Sequence, residues 1–226
     1  MSAASVADSS DGKGANGEAR WPMAAAVVAA MVLTALLPMD LRFGPSWALP
    51  VVEGVLLGAV VLGDPGRIDR LAASLRWLSI GLVVVLVFNA TWATIQLIDS
   101  LINGGPETNS ASALLSAGAI VWVSNNIAFT LLYWEVDGGG AAARAHHLAR
   151  PLDFAFPQQL NPRIAPAGWT PRFIDYLYLG FTNATAFSPT DVMPLRPGVK
   201  AAMGAQSLIS LVLLALVVAR AVNVFT

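Results

Sequence analysis

Cysteine is absent from this sequence, and charge is scarce. The first absence excludes disulfides, thiolate metal sites and cysteine nucleophiles, and it leaves the compartment open. The second says more. Asp, Glu, Lys and Arg make up 12% of the residues, against roughly 25% in soluble domains. Lysine is limited to Lys13 and Lys200, and a net charge of −1 carries no basic footprint for nucleic acid. Also missing are a Walker motif, GxSxG, HExxH and any carboxylate pair at a catalytic spacing, so neither an enzyme nor a cofactor is expected. No segment repeats Arg or Lys at every third position, which excludes a voltage sensor of the gating-charge kind.

What is present is apolar. Hydrophobic residues form 56% of the 226, and the mean hydropathy is +0.63. A water-soluble core of this size could not hide so much apolar surface, so the composition predicts an all-α integral membrane protein with the lipid bilayer as its solvent. The Ala-, Val-, Leu- and Arg-rich usage is that of a GC-rich bacterial gene, and the expected location is the inner membrane of a bacterium.

Residues 1–20 are Ser/Gly/Ala-rich and aperiodic, and read as a disordered tail. Residues 21–134 hold four apolar segments: Met23 to Pro38, Trp47 to Gly63, Trp77 to Ile102 and Ala111 to Trp134. A fifth runs from Ala201 to Phe225. Each approaches the roughly 17–25 residues that cross hydrocarbon as a helix, the first two being short for it. Gly/Pro turns separate them, and Trp47, Trp77 and Trp134 stand at segment ends, where amphipathic rings favour the interface. Residues 135–172 are polar and rich in proline, a loop outside the hydrocarbon. Residues 173–190 are apolar, then small and polar, which suits a half-membrane helix running into irregular backbone. The expected architecture is therefore five transmembrane helices plus one re-entrant, or sixth spanning, segment. Basic residues alternate rich and poor between the spans, placing the N-terminus and the 135–172 loop in the cytoplasm.

Polar groups inside the apolar segments are the candidate functional residues. Asn89, Trp92, Gln96, Asp99 and Asn103 recur every three or four residues, on one helix face. Asn125 and Asn126 lie in the fourth segment, Glu53 in the second, Gln206 and Arg220 in the last. Buried in lipid without partners they would be costly, so they face other helices or a wet cavity. They form either an ion or proton path or interhelical hydrogen bonds worth about 0.6 kcal/mol each. Gly54 and Gly58 make a GxxxG match that would allow close helix approach. The adjacent His146 and His147, with no further ligand nearby, read as a solvated loop and not a metal site. Glu135 and Asp137 read as a helix exit.

Asp175, Leu177, Tyr178, Phe181 and Thr185, then Asp191, Pro194 and Leu195, resemble without a gap the pore loop of tetrameric potassium channels. The following helix, with Gln206 and Val217-Val218-Ala219-Arg220-Ala221-Val222, resembles their last helix. The resemblance implies a homo-oligomer, a tetramer if channel-like, with Thr182, Thr185, Ala186, Phe187, Ser188, Pro189, Thr190 and Asp191 at the filter position and a monovalent cation as candidate partner. The departure falls on the filter. Phe187-Ser188-Pro189-Thr190 stand where the family has V-G-Y-G, so the carbonyl ladder and potassium selectivity do not carry over. Side-chain oxygens of Thr185, Ser188, Thr190 and Asp191 remain to line a different constriction. The whole chain, including Tyr133-Trp134-Glu135, Asp137-Gly138-Gly139 and Phe181-Thr182-Asn183-Ala184-Thr185, also resembles a bacterial family of multi-pass membrane proteins, which implies no biochemical activity. Three functions follow: a channel, a non-conducting scaffold or partner-binding subunit derived from one, and a proton-coupled small-solute transporter using Glu53 and Asp99. A potassium-channel pore loop enters from outside, whereas the arginines put 135–172 inside. Either the loop enters from the cytoplasm, as in glutamate-receptor channels, or 173–190 crosses fully, or the arginine pattern misleads.

Overall fold

The computed structural model describes residues 17–106, 110–161, 163–166, 168–186 and 191–225. The chain is mostly helical. The long helices are α1 (Trp21–Leu36), α2 (Ala48–Gly63), α3 (Ala73–Asn103), α4 (Ala111–Val136) and, after the intervening short elements, α7 (Phe173–Ala186) and α8 (Pro197–Phe225). Between α4 and α7 lie α5 (Ala141–Ala145), β1 (Phe154–Ala155) and α6 (Pro157–Leu160), and β2 (Met193–Pro194) precedes α8.

The helix limits follow local chemistry. Pro22 sits in the first turn of α1, where its missing N–H costs nothing, and Leu37, ahead of Pro38, turns extended and stops the helix. Gly104 closes α3 at φ +86°. The Ser110 hydroxyl caps α4 by accepting from the Ala113 N–H at 3.2 Å.

Three helices, α3, α4 and α8, are long and apolar enough to cross a membrane. Helices α1 and α2 are apolar but shorter, with 16 residues each, about 24 Å at 1.5 Å per residue, so three of the five expected spans meet the full length for a crossing.

Helix α4 is central and packs against α1, α3, α7 and α8. Two apolar cores flank its midpoint: one around Val27, Leu86, Leu131 and Tyr176, the other around Leu41, Leu97, Leu114 and Leu213. Helices α1 to α4 alternate in direction and α7 and α8 both start where α4 ends, so the start of α1, the end of α2, the start of α3, the end of α4 and the starts of α7 and α8 share one end of the bundle. Every described Lys and Arg except Arg42 and Arg220 belongs to a segment at this end.

The structure corrects the sequence reading in three places. Residues 17–20, assigned to a disordered tail, are packed: Arg20 pairs with Asp64 at 2.8 Å, and the Ile68 N–H donates to Glu18 O at 2.9 Å. Residues 1–16 lie outside the described residues. Trp134, expected at the interface, is 3% exposed, whereas Trp47 and Trp77 are 66% and 71% exposed. The 135–172 loop folds back onto the bundle and buries Phe154 and Phe156 among Tyr133, Tyr176 and Trp169.

Candidate functional site

Helix α7 has 14 residues, about 21 Å, too short for a hydrocarbon layer of about 30 Å. Its first turn and the strand that follows it are tied to the same end of the bundle. The Phe173 N–H donates to Glu18 Oε2 at 2.7 Å and the Tyr176 hydroxyl to Asp137 Oδ2 at 2.5 Å. Beyond α7, Pro194 and Met193 pair antiparallel with Phe154 and Ala155, and the Leu195 N–H donates to Asp153 O at 2.8 Å. The start of α7 and β2 therefore stand at the same, basic end of the bundle.

About two-thirds along α7, a knot of polar side chains joins three helices. Gln206 of α8 is fully buried; its Oε1 accepts from the Tyr133 hydroxyl at 2.8 Å and from Asn183 Nδ2 at 2.7 Å, and its Nε2 donates to Gly180 O at 3.0 Å. Asn183 Nδ2 also donates to Met203 O at 3.0 Å. Three residues before Asn183, α7 crosses α4 at Gly180. A Cβ there would fall 2.5 Å from Thr130 Oγ1 and 2.9 Å from Asn126 Oδ1. Gly180 thus offers a Cα–H to these two oxygens, the arrangement of the weak contacts that recur at helix crossings.

The filter-equivalent residues divide. Phe187, Ser188, Pro189 and Thr190 lie outside the described residues. The Thr182 and Thr185 hydroxyls donate to carbonyls of their own helix, Tyr178 O and Phe181 O, each at 2.9 Å. Thr185, Ala186 and Asp191 are exposed and Thr182 is half-buried.

The intramembrane polar residues also separate. Glu53, with no exposure, meets α1 and α3: Asn89 Nδ2 donates to Thr34 Oγ1 at 2.7 Å and to Glu53 Oε1 at 3.5 Å, and Glu53 Oε2 has no partner among the described residues. Asn125 Nδ2 donates to Thr94 Oγ1 at 2.6 Å, tying α4 to α3. Asn126 Oδ1 is buried without a partner among the described residues. Gln96 is half-buried and reaches Asp40 O at 3.4 Å; Asp99 is exposed and accepts from Asn103 at 2.8 Å. The shared face of α3 is therefore divided by depth: Asn89 is interior and Asp99 peripheral, so the two carboxyls of the transporter reading do not meet. Arg220 is half-buried near the far end of α8. Gly54 meets only Met31 Cε and Gly58 meets nothing, so the GxxxG pair makes no close helix crossing.

At the basic end the sequence reading identified Asp137 as a helix exit and missed its partners. Asp137 is fully buried, and its Oδ1 accepts from the N–H groups of Asp153 and Phe154 at 2.9 and 3.1 Å. Arg144 donates to Trp134 O and Asp137 O at 2.8 and 2.6 Å and lies 5.0 Å over the Tyr176 ring. Glu18 completes the group by accepting from the Trp134 indole at 2.5 Å. The run Gly138-Gly139-Gly140, all at positive φ, was the available signal for a tight corner after α4. Nothing local marked Glu18, because its partners are distant in sequence. His146, exposed, contacts Asp69 O at 2.5 Å.

Burial pushes the Glu18 carboxyl above its ordinary value near 4.5, against the lowering effect of the Phe173 and Trp134 donors and of Arg144. An acid raised on folding holds its proton more tightly in the folded state. Its contribution is therefore complete below the ordinary value and is lost as pH rises through the raised one. Amide exchange at Phe173, corrected for its intrinsic pH dependence, should show tighter protection at about pH 4 than at about pH 7. Glu18→Gln should remove that difference, and an unchanged pH response in the variant would exclude Glu18 as its source.

Comparison with known protein families, with curated proteins and with solved structures finds no match.

Proposed function

We propose that this is a channel-like membrane protein, inserted with its basic end in the cytoplasm, in which residues 173–194 form a re-entrant loop. The observation that carries the reading is the pairing of β1 with β2, which brings the chain back to the end of the bundle where α7 starts. A half-length helix that returns to its own side is the form in which irregular backbone is tolerated at membrane depth, packed in protein or lining water. Helices α1, α2, α3, α4 and α8 are then the five spans, and excess positive charge at one end sets the orientation. Ile174, Tyr178 and Phe181 make an exposed apolar face along α7, which suits contact with further copies around a common axis. A tetramer follows from the potassium-channel resemblance. The conducted species would be a monovalent cation, without ordinary potassium selectivity.

The natural absence of cysteine makes the test direct. Single cysteines at His147 and Leu195, on either side of the loop, should react with a membrane-impermeant thiol reagent from the same side of sealed vesicles. Labelling from opposite sides would make 173–190 a sixth span and end the re-entrant reading. In liposomes the protein should pass a cation flux that Asp191→Ala changes.

A second reading is favoured by the Tyr133–Asn183–Gln206 knot, which turns the polar groups of α7 toward α4 and α8. It is a channel-derived scaffold that does not conduct, and same-side labelling with a tight bilayer would select it. Proton coupling through Glu53 alone remains the third; a proton-driven uptake abolished by Glu53→Gln would select that one.

A further inference from the structure

The basic end holds a cavity of about 420 Å³ between the α2–α3 connection, the first turn of α3 and the corner joining α4 to α5. Part of its wall is apolar, from Val60, Ile68, Leu71, Leu75 and Leu148, of which Leu71 and Leu148 are 52% and 42% exposed. The rest carries Arg20, Arg70, Arg76 and Arg150 against Asp64 and Glu135. Arg20 is paired with Asp64 and Arg76 with Glu135, at 2.8 and 2.7 Å. The guanidinium groups of Arg70 and Arg150 form no salt bridge among the described residues; that of Arg70 donates to Gly63 O at 2.6 Å, while its backbone N–H donates to Asp64 Oδ2 at 3.3 Å. The cavity therefore has two more cations than anions.

A second positive element lines it. Ala72 and Ala73 are the start of α3, a helix of 31 residues whose N-cap, Ala72, offers no side chain to the first-turn N–H groups. Those donors and the helix dipole favour an anion. Trp21 and Trp77, 72% and 71% exposed, stand at the same end, and exposed indoles favour the boundary between headgroups and chains.

We propose that this cavity binds the headgroup of an anionic phospholipid. Its phosphate lies between Arg70, Arg150 and the first turn of α3, and its acyl chains run against Leu71, Leu75 and Leu148. Charge and apolarity decide together. A free phosphate would engage the cations and leave the exposed leucines in water, whereas a zwitterionic lipid would leave two arginines uncompensated. Basic cavities at the cytoplasmic ends of membrane helices hold such headgroups for the same reason. The inference rests on the membrane embedding and orientation proposed above, and not on the re-entrant loop.

The full-length protein in neutral detergent would be titrated with phosphatidylglycerol, phosphatidylcholine and glycerol phosphate, with bound lipid counted by native mass spectrometry. Phosphatidylglycerol should bind tightest. Arg150→Gln should weaken it roughly five-fold, and Arg70→Gln by a similar factor, with phosphatidylcholine unaffected. Because Arg70 also caps α2, Arg150→Gln is the deciding variant, and its thermal midpoint should equal that of the natural protein. Equal affinity for the two lipids, or no change in Arg150→Gln, would overturn the proposal. Glycerol phosphate binding as tightly as phosphatidylglycerol would overturn the lipid assignment in favour of a free-anion site. Thiol labelling around the loop does not enter this outcome, so the two readings fail separately.

Discussion

Asp137→Ala is expected to destabilise the protein by about 4 kcal/mol, because it strands three buried donors at once. The carboxylate accepts from the Asp153 and Phe154 N–H groups and from the Tyr176 hydroxyl, and the residue has no exposure. Each donor left without an acceptor in a dry interior costs about 1–3 kcal/mol. Two of the donors hold β1 in place, so loss of β1 should carry β2 with it and free the end of the 173–194 segment. Asp137→Asn separates charge from geometry. An amide oxygen can still accept from both N–H groups, and the Tyr176 hydroxyl can rotate to accept from the amide nitrogen. The cost should fall to about 1 kcal/mol. Denaturant unfolding in detergent measures both variants, with amide exchange at Asp153 and Phe154 reporting the local effect. An alanine variant as stable as the natural protein would mean that this hub does not form.

Gly180→Val is the second large effect, about 3 kcal/mol destabilising. Two opposed effects set its size. Replacing a glycine inside a helix gains at most about 1 kcal/mol of helix propensity, and less for a β-branched residue. Against that, the first added carbon already falls 2.5 Å from Thr130 Oγ1 and 2.9 Å from Asn126 Oδ1, well inside van der Waals contact, and valine adds two methyls beyond it. Helix α7 would have to withdraw from α4, and the Gln206 bond to Gly180 O would go with it. Truncating the obstacle should partly reverse the loss: Gly180→Ala with Thr130→Ala should be more stable than Gly180→Ala alone. A pair that merely adds its two separate costs would place the strain elsewhere.

These two positions show how differently the sequence treated the fold and the site. The apolar segments were legible because transfer into lipid is a property of each residue's own side chain, summed over a window. The limits of α2, α3, α4 and α8 fall within a few residues of the expected ones, at the Gly, Ser and Pro positions that stop or start helices for local reasons. Gln206 was visible as a polar residue in an apolar segment and Asp137 as part of a helix exit, but not what they bind. Arg144 registered only in the charge pattern and Asn183 only in a family resemblance, and Gly180 and Tyr176 gave no separate signal.

Partner choice is what only the tertiary structure decided. Glu18 meets Phe173 across 155 positions, Tyr133 meets Gln206 across 73, and Asn89 meets Thr34 across 55. Hydrogen-bond directionality makes such pairs depend on how whole helices are rotated and crossed, and no one-dimensional pattern encodes that. The same reason separated Asn89 from Asp99 on one α3 face, because a helix face has a direction in sequence but acquires depth only from its neighbours. The sequence by itself determined an apolar helical chain with a polar, proline-rich corner. The packing of α7 against α4 and α8 and the pairing of β1 with β2 decided that this corner closes over the start of α7, with the strand ahead of α8 at the same end, because those contacts join segments far apart in the chain.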